Sequence, residues 1–326
     1  MPTKVLKPSS LMRFLKNYML PIAIVGGAVA YLTESHLTVL SPLRPYMPGV
    51  VSVVQPLLIF SMLFVTFCKV DVCRMRPRLW HVWLLLIQGL VFVGLSLLLW
   101  CFPQTPARMV MESAMLCFIC PTATAATVVT GKLHGDSEAV IAYTVGINLL
   151  VSVLVPLMVP LAHPQAGMTF LRAFLLILHH VFPMLICPLL LAQAVRFLWP
   201  RLQQRITACR DLAFYLWAVS LSIAIAVSVR SLVHSHCAAT LLLAIALSSL
   251  VACVFQFAAG RYIGRRYGTP IASCQALGQK NTVFAIWMGY TFLTPVSSLA
   301  GGFYSIWHNI FNAWQLDRQR HAEERA

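Results

Sequence analysis

Acidic side chains are scarce in this chain: nine Asp and Glu stand among 326 residues, and charge of either sign makes up only 10% of the sequence. Soluble domains carry about 25% charged residues, so this composition excludes an ordinary soluble protein. With 59% hydrophobic residues it implies an integral membrane protein. No two of the nine acids are paired within one hydrophobic segment. An enzyme embedded in a membrane needs paired carboxylates, a metal cluster or a nucleophile with a base, so catalysis is not expected, nor a metal or another cofactor. The ten cysteines are scattered over apolar segments without the compact spacing of a disulfide framework. Cys117-x-x-Cys120 has no second pair to complete a metal site and reads as two small packing residues. No cleavable signal peptide is expected, because Pro21 interrupts the first apolar run and no small-residue cleavage site stands out.

What the chain does have is apolar length. Hydrophobic stretches of about 20 residues, parted by short loops with charges or prolines, predict an all-α polytopic protein of about ten spans. Their limits fall near 15–33, 48–68, 80–101, 108–132, 138–162, 170–195, 211–230, 237–260, 270–294 and 296–316. The net charge of +15 would point to nucleic acid in a soluble protein. Here it sorts by loop. With the N-terminus placed inside, 19 of the 24 Lys and Arg fall on inner segments. Arg44, Arg108, Arg172 and Arg230 fall outside, and Lys280 lies in mid-span. That bias predicts both termini on the cytoplasmic side of the cell membrane and no nucleic-acid partner. Trp80, Trp83, Trp100, Trp199 and Trp314, near span ends, are expected as interfacial anchors.

Two spans are abnormal. The ninth contains Leu277-Gly278-Gln279-Lys280-Asn281-Thr282, and a lysine at the centre of a span costs roughly 2.5–3.5 kcal/mol on insertion scales. The fourth contains Cys120-Pro121-Thr122-Ala123-Thr124-Ala125-Ala126-Thr127, where Pro121 removes a backbone donor and small residues let other backbone approach. The fourth span of one five-helix half corresponds to the ninth span of the other. Interrupted helices at matching places in two halves of opposite topology predict an inverted-repeat transporter with its site near the midplane. Gln88 and Gln256, in the third and eighth spans, are one faint echo between the halves.

The run from Cys120 to Thr127, the following Gly135-Asp136 turn and the proline-bearing fifth span resemble the bile acid:sodium symporter family. So do the ninth span and Phe303-Tyr304-Ser305-Ile306-Trp307-His308-Asn309. The resemblance implies a panel of spans 1, 2, 6 and 7 (about 15–68 and 170–230) and a core of spans 3–5 and 8–10 (about 80–162 and 237–316). The broken helices 4 and 9 would cross in that core. It also implies organic-anion substrates, carboxylates or sulfonates, and in many members sodium coupling. Against the family pattern, its Ser-Asn pair falls on Ala126 and Thr127, and its fifth-helix hydroxyls fall near Val140 and Thr144. Its ninth-helix glutamate falls on Ala276, or on Gln275 if the register slips by one, and its glutamine falls on Lys280. Asn281 and Gln88 keep the family's amides. Sodium prefers several hard oxygens with a carboxylate among them, and here the carboxylate is missing and a cation is installed. At ~4 Å an ammonium repels Na⁺ by about 4 kcal/mol at an effective dielectric of 20.

The expectation is therefore a single transport unit that moves a small organic anion by alternating access. It would be sodium-independent, with Lys280 in place of a bound cation and able to couple protons. Thr122, Thr124, Thr127, Gln279, Lys280 and Asn281 are the substrate-binding candidates. Lys280, Gln88, Thr144 and Gln275 are the ion-coupling candidates. The alternatives are a sodium-coupled symporter and, more remotely, a membrane enzyme or an anion sensor. Glu112 is expected to pair with Arg108 one turn before it, Asp136 and Glu138 to be solvated or to cap a helix, and His179 and His180 to be satisfied or interfacial histidines rather than metal ligands.

Overall fold

The structure, a computed structural model, describes residues 10–37, 42, 44–69, 75–165, 167–209, 211–235 and 237–324. Lys4, Lys7, Arg74, Arg210 and Arg325, part of the charge pattern above, lie outside the described residues. The described chain is helical throughout: α1 (Ser10–His36), α2 (Met47–Cys68), α3 (Leu79–Cys101), α4 (Arg108–Ile119), α5 (Ala125–Lys132), α6 (Ser137–Ala162) and α7 (Phe170–Leu198) come first. They are followed by α8 (Pro200–Ala208), α9 (Leu212–Ser235), α10 (Ala239–Arg266), α11 (Pro270–Gly278), α12 (Thr282–Phe292), a single 3-10 turn over Pro295–Ser298 and α13 (Leu299–Glu323). Six of these, α2, α3, α6, α7, α9 and α10, are long and apolar enough to cross a membrane. Each remaining apolar segment read from the sequence falls on α1, on α13 or on one of the two helix pairs α4–α5 and α11–α12.

The outer surface carries its own signature. Val25, Leu57, Leu90, Leu190, Val251 and Ile310 are all exposed, an apolar exterior far beyond what a soluble fold presents. Trp83, Trp100, Trp199 and Trp314 share that surface, as expected. Trp80 does not. It is 1% exposed and stacks on Tyr143 at 6.2 Å between ring centres, because its position on α3 turns it toward α6 rather than toward lipid.

Small residues set how closely the inner elements approach. On α10, Gly260 and Gly264 are one turn apart and lie against α11: a Cβ at Gly260 would meet the Ser273 carbonyl oxygen at 2.6 Å, and one at Gly264 would meet the Ser273 hydroxyl at 1.8 Å. Gly278, at the end of α11, presses its bare Cα face onto the ring of Phe257, where an added Cβ would sit 2.4 Å from Cδ1. Glycines at such a spacing let two helix backbones touch, which replaces the missing hydrophobic drive between helices in lipid by close packing. The result holds α11 in the interior, with Ala272 through Gly278 all buried.

Gly264→Leu is expected to overpack this contact by about 1–3 kcal/mol or more and to lower the melting temperature of the detergent-solubilised protein. Gly94→Leu, at a position with nothing within 4 Å of an added Cβ, is expected to leave the melting temperature unchanged.

Candidate functional site

Helix α4 stops where its sequence requires. The residue before a proline is driven out of the helical region, and Cys120, before Pro121, adopts φ −53° and ψ 134°. On the partner side α11 ends at Gly278, Gln279 is extended at φ −92° and ψ 108°, and Asn281 starts α12 by accepting the Phe284 amide on its side-chain oxygen at 3.2 Å. The two extended stretches run antiparallel across each other, with Thr122 opposite Lys280. The amide of Ala123 donates to the Gln279 carbonyl at 2.9 Å, and the amide of Asn281 donates to the Pro121 carbonyl at 2.8 Å. The Thr122 hydroxyl adds a third link, to the Ala276 carbonyl at 2.7 Å. Four half-helices are thereby fastened at one point, and their open backbone groups satisfy one another.

Side chains alternate along an extended backbone, so the crossing has two faces. Lys280 and Thr122 share one; Gln279 and Asn281 share the other. Lys280 is 1% exposed, and its Nζ lies 3.4 Å from the Phe118 carbonyl in the last turn of α4. The thiols of Cys117, Cys120 and Cys253 surround it, and among the described residues no carboxylate pairs with it. The carbonyl end of a helix carries partial negative charge, and three side chains converge on this one. Gln88 of α3 donates to the Phe118 carbonyl at 2.7 Å and the Cys120 carbonyl at 3.3 Å, while Tyr143 of α6 donates to the Gln88 oxygen at 2.5 Å. Gln256 of α10 donates to the Cys117 carbonyl at 3.1 Å and to the Tyr304 hydroxyl at 3.1 Å, and Tyr304 of α13 donates to the Gly278 carbonyl at 2.8 Å. A glutamine and a tyrosine thus serve the broken ends twice, once from α3 and α6 and once from α10 and α13.

On the opposite face the Gln279 side-chain oxygen and the Asn281 side-chain nitrogen have no partner among the described residues, although both residues are buried, at 3% and 4% exposure. Asn281 has its orientation set, because its oxygen already caps α12, so a donor is left free. Ala123, Thr124 and Thr127 beside them are half-buried and Ala125 is exposed. Thr127 turns its hydroxyl back to the Thr124 carbonyl at 2.9 Å, and Thr124, at the start of α5, makes no side-chain cap. A helix N-terminus at α5, an amide donor and an amide acceptor, the last two unpartnered among the described residues, therefore lie at or next to the crossing.

Of the expected residues, the crossing brings together Thr122, Thr124, Thr127, Gln279, Lys280, Asn281 and Gln88. Thr144 bonds its own helix at the Val140 carbonyl. Gln275 turns toward α13, donating to Asn312 at 3.1 Å and Gln315 at 2.6 Å. The residues of α13 that receive it, Asn312 and Gln315, carried no sequence signal beyond their spacing, whereas Tyr304 and His308, earlier on the same helix, lie in the motif read as resembling the family's tenth helix. Among the described residues no group of three His, Cys, Asp or Glu could hold a metal ion.

A second polar centre ties the crossing together nearer the start of α4. Glu112 is fully buried and pairs with Arg108 at 3.1 Å, as its spacing predicts. The same carboxylate also takes His163, just past α6, at 3.0 Å, the Thr294 amide at 3.1 Å and the Ser297 hydroxyl at 2.9 Å. It fastens α4 to the end of α6 and to the turn between α12 and α13. At the other end, Asp136 caps α6 through the Ala139 amide at 3.0 Å and pairs with Arg78. His134 meets Glu323 at the end of α13 at 2.8 Å.

No family model matches the chain, and no curated protein matches it.

Glu112→Gln removes charge-assisted bonds worth about 1.5–3 kcal/mol each. The variant is expected to melt several degrees lower, and Ser297→Ala to show a smaller loss. A pH effect follows from Glu323, whose carboxyl is held below its ordinary value by hydrogen bonds from His134 and then Gln319. A carboxylate with a lowered folded-state pKa stabilises above its unfolded value and loses that contribution as pH falls through the folded one. The protection factors of amides in the last two turns of α13, corrected for the intrinsic pH dependence of exchange, are therefore expected to fall on acidification below the usual carboxylate range, and to fall less in His134→Ala, where the bond from Gln319 alone remains.

Proposed function

We propose that this chain is a secondary transporter of a small organic anion, a carboxylate or sulfonate, working by alternating access in the cell membrane. In this reading it crosses the membrane ten times with both termini cytoplasmic, the pairs α4–α5 and α11–α12 each forming one broken span. The two glutamine–tyrosine pairs, Gln88 with Tyr143 and Gln256 with Tyr304, support two related halves. The anion lies on the open face of the crossing, where the N-terminus of α5, Thr124, Thr127 and the free amide groups of Gln279 and Asn281 would hold it. The resemblance to bile acid:sodium symporters rests on the sequence motifs and supports the same reading.

The observation that carries the proposal is the position of Lys280. A buried ammonium with no acidic partner among the described residues, bonded to the carbonyl end of α4, does what a bound cation would do there: it offsets the negative end of one broken helix at the point where another begins. It lies on the face behind Gln279 and Asn281, so its charge reaches the anion through the crossing rather than by contact. Sodium coupling is the weaker reading, because the Phe118 and Cys120 carbonyls that could ligate an ion are already bonded by Gln88 and Lys280. Proton coupling through Lys280 remains open to the same ammonium.

Counterflow in proteoliposomes, with carboxylates and sulfonates varied over Na⁺ and pH, tests this. The wild-type protein is expected to exchange an anion equally well with and without sodium. Lys280→Gln is expected to lose at least tenfold in rate, equivalent to about 1.4 kcal/mol, and to regain part of it when Na⁺ is added. A steep sodium dependence of the wild type, or a Lys280→Gln variant indistinguishable from it, sinks the cation role. Absence of counterflow with every anion would sink transport itself.

A further inference from the structure

We propose that α8, with the end of α7, forms a docking site for anionic phospholipid head groups at the membrane surface. The inference needs only the membrane character of the fold and stands apart from the transport reading. Helices α7 and α9 are both long and apolar enough to cross a bilayer, and α8 is what joins them. Its nine residues span about 14 Å at 1.5 Å per residue. A connector of that length, running between the ends of two spanning helices, lies along the surface where both emerge.

The residue pattern fits that depth. Trp199, at the junction, and Phe197, Leu198 and Leu202 around it are exposed. Around α8 itself, Leu202 and Ile206 are one turn apart, and Ile206 packs against the hydrophobic core. Arg201 and Arg205 are likewise one turn apart, on the adjoining side and exposed. Among the described residues neither makes a hydrogen bond or ion pair. Gln203, on the opposite edge, donates to the Cys68 carbonyl at the end of α2 at 2.8 Å. That bond fixes the roll of the helix, so the arginines cannot turn inward. The helix therefore seats Ile206 on the protein core, leaves Leu202 toward the hydrocarbon boundary, and holds two guanidinium groups, unpaired among the described residues, at head-group level, flanked by an exposed indole. Phosphodiester oxygens are what a planar guanidinium fork binds in pairs, and an amphipathic basic helix at an interface binds acidic lipids. No acid on α8 competes, since its nine residues contain none.

The full-length protein is reconstituted in nanodiscs of equal phosphatidylcholine and phosphatidylglycerol, extracted, and its retained lipid counted by native mass spectrometry. Phosphatidylglycerol is expected to be enriched over phosphatidylcholine. Arg201→Gln with Arg205→Gln is expected to reduce the enrichment by about fivefold for each arginine, and the Lys pair at the same positions to keep most of it. A second readout needs no change in charge. Trp199 is one of eight tryptophans, and the difference between wild type and Trp199→Phe isolates its emission. That emission is expected to be quenched more by lipids brominated near the head group than by lipids brominated deep in the chain. Unchanged enrichment in the double Gln variant, or deep quenching of Trp199, overturns the proposal. So does binding of a soluble polyglutamate peptide that the variant loses while lipid enrichment persists, since the surface would then belong to an acidic protein.

Discussion

A backbone that leaves its helix in an apolar interior exposes amides and carbonyls that its surroundings cannot satisfy, and each unpaired group costs on the order of several kcal/mol. Everything at the centre of this protein follows from how that demand is met. Two chain breaks, each of which would be untenable alone, are laid across each other so that Ala123 and Gln279, and Asn281 and Pro121, pair reciprocally. The requirement then spreads outward. The carbonyls at the end of α4 need donors, and Gln88 and Gln256 reach in from α3 and α10. The amides in turn need support, which Tyr143 and Tyr304 provide from α6 and α13. Close approach of α11 to α10 follows as well, since the second broken pair can be placed only if Gly260 and Gly264 leave room for it.

Electrostatics is arranged on the same frame. The crossing sets the carbonyl end of α4 beside Lys280 and leaves the amino end of α5 toward the open face, so the dipoles favour a cation on one side and an anion on the other. Glu112 and Asp136, at the two ends of the same elements, supply the negative charge that the centre lacks, each satisfied by several donors. A chain with few acids has placed two of them where each holds several elements together.

Much of this was legible in the sequence, and the reasons for the rest are physical. Lys280 and Pro121 announce themselves because each breaks a rule of the apolar run that contains it, and Arg108 and Glu112 because helix neighbours lie four residues apart. The face of each side chain was not legible. Whether Lys280 shares a side with Asn281 depends on the extended backbone between α11 and α12, and a hydropathy pattern read as one helix conceals it. Trp80 was misplaced for a similar cause, since proximity to a span end does not say which way a residue turns. Gln275, adjacent to the critical run, points to α13 instead of the crossing. The partners of Glu112, at His163, Thr294 and Ser297, stand too far along the chain for any spacing to connect them. Helix α8 was hidden in what read as a charged loop, because nine residues with two arginines carry no hydrophobic run.

The links that define the crossing are made to main-chain atoms. Lys280, Gln88 and Gln256 all grip carbonyls of α4, and Thr122 grips one of α11. Such bonds constrain the side chain on one end only: any residue at position 118 offers the same oxygen to Lys280. Evolutionary covariation between the fourth and ninth segments should therefore be weak even though they touch, and a map of co-varying pairs would pass over the contact on which the fold depends. A lineage could also replace most side chains around the crossing without disturbing its geometry, so common ancestry in this architecture can fade from the sequence well before it fades from the backbone.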